Sequence, residues 1–157
     1  MKLSAHDQHR LYLTIKVTLI AFGAMAAMDM LGLVIAVVTN STYDWCVVGR
    51  LVGYLLRGEW LFHSGVMRSA LPHENALGWV AHYSVGFIYA FAYVELCLGG
   101  FNYPPRLFET LGFAWVVMVF PLCVLAPMTG NGFFDTHTDT QIVNLLYTLC
   151  EHTTFGL

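Results

Sequence analysis

Four ionisable side chains stand deep inside apolar stretches of the chain: Asp29, His82, Glu151 and His152. A charge at the centre of a bilayer costs about 2.5–3.5 kcal/mol even on the mildest scale, so each of them needs a partner, water or neutrality. Their types admit distinct chemistries. His82 and His152 could be paired axial ligands to haem, or two ligands to a metal ion, because neutral imidazole is the commonest nitrogen ligand. They could equally be structural, bonded to each other or to carboxylates and carbonyls of neighbouring helices. Asp29 could carry protons or ions across the membrane, or join helices by bonding to His82 or Tyr83. Glu151 and His152 point about 100° apart on a helix. One of the two is then expected inward and the other towards headgroups or a second subunit, which suggests a homo-oligomer.

These groups must be positioned by helices. The stretch 76–98, ALGWVAHYSVGFIYAFAYVELCL, is long and apolar enough to cross a bilayer. Gly78, His82, Gly86 and Ala90 recur every fourth residue and share one face. Small residues let another helix approach closely, so His82 is expected inside a bundle. The same logic applies to Met25, Asp29, Gly32 and Ala36 in a first crossing at about 11–38. A third crossing is expected at about 106–127, kinked at Pro121. A fourth is expected at about 140–157, with Asn144, Thr148, His152 and Gly156 on one stripe. Thr138 and Gln141 have the spacing of a capping box at its start.

Between the first and second crossings, 45–57 reads as an amphipathic helix in the interface. Val47, Val48, Leu51, Val52, Leu55 and Leu56 follow a helical period, and Arg50, Gly53 and Arg57 make the opposite stripe. Trp45, Tyr54 and Trp60 are expected at headgroup depth. With four crossings, the helix ends nearest Asp29, His82 and His152 lie on one membrane side. At about 1.5 Å per residue, the three groups sit roughly 9–18 Å below that surface, within reach of one polar pocket.

Composition supports lipid as the main solvent. Of 157 residues, 57% are hydrophobic and 11% are charged, with mean hydropathy +0.63. Soluble domains carry about 25% charged residues. A net charge of −3 and the lack of any basic run exclude a nucleic-acid partner. Cys46, Cys97, Cys123 and Cys150 form no C-x-x-C pair and no disulfide framework. His63, His73, Glu74, Asp135 and His137 lie on connections of one side and could form a surface metal site, though solvated loops are the simpler account. Met25, Met28 and Met30 could suit copper(I), but thioethers more often pack cores. The basic residues of the tail and the second connection, Lys2, Arg10 and Arg106, are weighed against Arg50, Arg57 and Arg68 on a longer segment. The expectation is that both termini are cytoplasmic.

Trp45, Gly49-Arg50, Gly53 and Gly58, then Gly78-Trp79-x-x-His82-Tyr83-x-x-Gly86-x-x-Tyr89-Ala90, resemble a family of small bacterial four-helix inner-membrane proteins, the domain-of-unknown-function family numbered 2938. Pro127-Met128 with Gly130 and Gly132-Phe133, and His152-x-x-Phe155-Gly156, look like the same pattern. The resemblance implies a multi-pass protein of the bacterial inner membrane and supplies no catalytic residues.

The expected architecture is therefore all-α: one transmembrane domain over 1–157, with four crossings and one interfacial helix. The first functional expectation is a pocket of Asp29, His82, Tyr83 and His152, with Glu151 beside it, that binds or passes a small ligand or ion. The second is a non-enzymatic structural or accessory subunit of a larger membrane complex. The third is a haem or metal redox protein.

Overall fold

The computed structural model describes residues 4–59 and 69–157. Within them the chain is all-helical, with no strand among the described residues. Helix α1 runs from Ala5 to Thr39. Ser4 caps it by accepting from the Asp7 amide at 3.2 Å, and Asp7 in the first turn complements the helix dipole. It ends where Asn40 turns left-handed at φ 52°, a conformation asparagine tolerates better than most residues. Its buried positions, Val17, Ala21, Met25, Met28, Asp29, Gly32 and Ala36, form one stripe three to four residues apart. This is the inward stripe that the small-residue spacing predicts. The outward face is apolar too: Leu19 is 67% and Val37 82% exposed.

Helix α2 spans Cys46–Leu56, with Trp45 and Arg57 as its caps. It packs most extensively against α3, Glu74–Glu95. The two backbones come close at glycines. A Cβ on Gly49 would run into the Glu74 carbonyl, and one on Gly78 into the Trp45 carbonyl. The buried residues of α2 are Gly49, Leu51 and Gly53. Arg50, on the stripe opposite the aliphatic one, bonds within the protein. Its guanidinium forks onto Glu74, Nε to Oε2 at 2.8 Å and Nη2 to Oε1 at 2.7 Å. Glu74 Oε2 also accepts from the Leu71 amide at 2.8 Å, which closes the start of α3. The glycines permit this pairing, because their lack of side chains lets α2 and α3 approach at backbone contact beside Arg50. Arg57 is exposed and lies over the Tyr54 ring, 5.7 Å from its centroid. Trp60, His63 and Arg68 lie outside the described residues.

α3 continues through a wide turn, Leu96–Gly100. Helix α4, Leu107–Val117, gives way to a second wide turn at Pro121–Leu125 and then to α5, Ala126–Met128. Pro121 has no amide hydrogen to continue the ladder, so the helix changes pitch at the expected place. Helix α6 spans Gln141–Gly156 and packs on α1 and α4. The capping box does not form. Thr140 holds the cap position without a side-chain cap bond. Thr138 donates instead to the Asp135 carbonyl at 2.9 Å, and Gln141 to the Phe134 carbonyl at 3.0 Å. The turn 133–135 wins because Phe134 and Asp135, both at positive φ, bring those carbonyls round.

Among the described residues, three helical segments are long and apolar enough to cross a membrane: Ala5–Thr39, Glu74–Gly100 and Leu107–Met128. The 16 residues of α6 give it a length of about 24 Å, short of the roughly 30 Å of a hydrocarbon core.

Two glycines test this packing. Gly49→Ala is expected to lower stability by about 1–3 kcal/mol, because the new methyl meets backbone that cannot swing away. Gly23→Ala, with open space around it, should be neutral or stabilising by up to about 1 kcal/mol. Thermal unfolding of the two variants in one detergent would show the contrast, and equal shifts would refute it.

Candidate functional site

A single buried carboxylate collects three helical or loop segments. Asp29, on α1, is 5% exposed. Its Oδ1 accepts from the Tyr43 hydroxyl at 2.8 Å and from His82 Nε2 at 3.0 Å. Its Oδ2 accepts from the Tyr83 hydroxyl at 2.7 Å. Tyr43 comes from the connection after α1, and His82 and Tyr83 from α3. A carboxylate offers about four lone-pair sites, so three donors nearly fill it.

The imidazole is held from its faces as well. Trp45 stacks on His82 with ring centroids 3.9 Å apart and planes at 23°. Trp79 meets both His82 and Tyr43 edge-on at 6.0 Å. The ring's orientation is thereby fixed, with Nε2 turned to Asp29, whose carboxylate accepts an Nε2–H.

On α6, His152 Nδ1–H donates to the Thr148 carbonyl at 2.9 Å. Glu151 is buried, and its Oε1 has no hydrogen-bond partner. Tyr147, one turn earlier, lies beside it. His82, Glu151 and His152 all line one cavity of about 440 Å³, partly enclosed by Met25 and Met28 of α1, Val48 and Leu51 of α2, and Leu125.

The four residues expected to form one pocket thus divide. Asp29, His82 and Tyr83 are joined by hydrogen bonds, while Asp29 and Tyr83 sit behind the cavity wall. His82 belongs to both sets. His152 shares the cavity with His82 and bonds its own helix instead of a second imidazole. Glu151 and His152 do not divide between inside and outside: both border the same space. A cavity is broad enough to span the 100° between neighbouring residues. Trp45, expected at headgroup depth, is a wall of the cavity and a lid on His82.

Tyr43 and Tyr147 escaped the sequence reading. Nothing in a short connection distinguishes Tyr43 from a surface aromatic. Tyr147 did carry a signal, since it lies four residues before Glu151 on the same helix. Of the loop residues considered for metal, His63 lies outside the described residues and two of the others have partners. Glu74 is taken by Arg50, and Asp135 accepts from Asn131 at 2.9 Å. Among the described residues, no group of three or more His, Cys, Asp or Glu side chains is arranged to hold a metal ion.

Described residues that are all-helical, with three segments among them fit to cross a membrane, and a carboxylate buried under three donors, define a class of small membrane-type helical proteins. Within that class, the family described as protein of unknown function (DUF2938) matches residues 18–157, and the chain belongs to it. No curated protein and no solved structure matches the chain.

If the Asp29 cluster locks helices together, Tyr43→Phe should cost about 1–2 kcal/mol, the worth of one hydrogen bond to a charged acceptor in such surroundings. Asp29→Ala should cost more, because it strands three donors at once. Unfolding temperatures unaltered in both variants would show that the cluster carries no stability.

Proposed function

We propose that this chain is a non-enzymatic integral protein of the bacterial inner membrane that binds a small ligand in the cavity bordered by His82, Glu151 and His152. In this proposal α6 makes a fourth crossing, α2 lies along the membrane surface against α3, and both termini face the cytoplasm. The observation that carries the ligand site is a cavity of about 440 Å³ whose largely apolar wall is interrupted by the polar side chains of His82, Glu151 and His152. A concave, mostly apolar space with a few convergent polar groups supports a small-molecule site.

Asp29, Tyr43 and Tyr83 serve a different end. Their bonds are mutual and nearly fill the carboxylate, which favours a role in holding His82 in place over passage of ions through Asp29. A haem ligated by both histidines is less well supported, because His82 Nε2 is committed to Asp29. The accessory-subunit alternative has no comparable observation behind it, although isolation with a stoichiometric partner would favour it.

The ligand site is tested with the full chain in lipid nanodiscs and 2-naphthylethanol as a neutral, largely apolar probe. Saturable binding by calorimetry is expected, and Val85→Trp, which places an indole in the cavity, should abolish it. Binding that is absent, or indifferent to Val85→Trp, would refute the site. Topology is tested separately by fusing a fluorescent protein and, in a second variant, alkaline phosphatase after Leu157. Fluorescence without phosphatase activity is expected.

A further inference from the structure

We infer that the ligand cavity is the first of two chambers that together hold one long hydrocarbon chain, with Tyr89 and Phe155 as the partition between them; this rests on the ligand-site reading above. A second cavity, of about 380 Å³, lies between α1, α3, α4 and α6. These helices line both spaces, and on each the change from one to the other comes at a single point. On α1 the smaller cavity ends at Ala24 and the larger begins at Met25. On the segment that starts with α4, the change falls between Ala114 and Val117. On α3 it falls at Tyr89 and on α6 at Phe155, and these two side chains line both spaces. The cavities are therefore stacked end to end along the bundle and meet at two rings. On α3 their joint lining runs over 81–94, about 20 Å at 1.5 Å per residue.

The backbones at this level are held on both sides. Gly86 abuts the Met25 thioether, and a Cβ on Gly156 would stand 2.9 Å from that of Ala114 and 3.2 Å from the Leu111 Cα. Joining the chambers is therefore a matter of ring side chains changing rotamer, with the helices in place. The polar groups divide unevenly. His82, Glu151 and His152 belong to the larger chamber. In the smaller one the Thr110 hydroxyl donates to the Arg106 carbonyl at 2.8 Å and lies 3.1 Å from the Tyr93 hydroxyl. Those groups are satisfied within the protein, and the space beside them suits hydrocarbon. Ligand cavities run to about 300–1,000 Å³, so a compact molecule fits either chamber, and only a long linear one uses both. A chain with its polar end beside the histidines and its tail past Tyr89 matches this division. A free long-chain alcohol and an acyl chain of a bilayer lipid present the same hydrocarbon.

The test uses the full chain in phosphatidylcholine nanodiscs and 1-hexadecanol carrying a diazirine at its far end. Illumination is expected to attach the probe saturably to residues of the smaller chamber, such as Val17, Ile20 or Val94, as read by peptide mass spectrometry. An excess of 2-naphthylethanol, which occupies the larger chamber, should lower that labelling at least about tenfold. The same loss is expected in Val85→Trp, whose indole fills the larger chamber alone. Labelling of the smaller chamber that survives both, or no saturable labelling there, would overturn the inference and leave the ligand site standing. Failure of 2-naphthylethanol to bind by calorimetry would remove the ligand site and the inference with it. If the inference holds, a phosphatidylcholine with the diazirine at the end of one acyl chain identifies the source. Labelling of the same residues, lost with 2-naphthylethanol, points to a lipid chain, and failure to label them points to a free one.

Discussion

A carboxylate withdrawn from water into an apolar bundle must find donors, and much of this structure follows from how Asp29 finds them. Its three partners come from two places, the connection after α1 and the middle of α3. Satisfying Asp29 therefore fixes the distance and rotation between α1 and α3. It also draws the chain after Asn40 back over the bundle, since Tyr43 can bond Asp29 only if that connection folds inward. Trp45, two residues on, then falls on the exposed face of His82. The start of α2 is set by the same event.

A second constraint works about one turn further along α2. Close approach of α2 and α3 at Gly49 and Gly78 leaves no room for side chains between the backbones. The charged residue beside that contact, Arg50, is then brought onto Glu74 and forms two parallel hydrogen bonds. Such a fork fits one orientation of the two helices. The pair therefore fixes the register that the glycines permit. Between them, the Asp29 cluster and the Arg50–Glu74 fork hold α2 against α3 while its aliphatic side, Val48, Leu51, Val52 and Leu55, is left to wall the cavity.

The helices are legible in the sequence because they rest on local signals. Apolar length, the spacing of small residues and the proline at 121 each act within a few turns. The buried stripe of α1 and the polar positions Asp29 and His82 follow from the same periodicity. What the sequence does not disclose is which face of a short helix wins when two claims compete. On α2 the aliphatic stripe and the glycine stripe both ask for burial, and only the presence of α3 at backbone contact decides it. Tyr43 was hidden for a related reason, since a connection has no period from which to infer where its side chains go. The Thr138 capping pattern failed because carbonyls of a preceding turn offered Thr138 and Gln141 other partners.

The α1–α3 contact also says something about the cavity. Gly86 faces the thioether of Met25, which fills the space where a Cβ would stand. Met25 is also part of the cavity wall. The boundary between these two helices is thus made of the most pliable of the apolar side chains, with three rotatable bonds and a polarizable sulfur. Occupants of unequal breadth can be accommodated by rotation of that one side chain, with the helices themselves stationary.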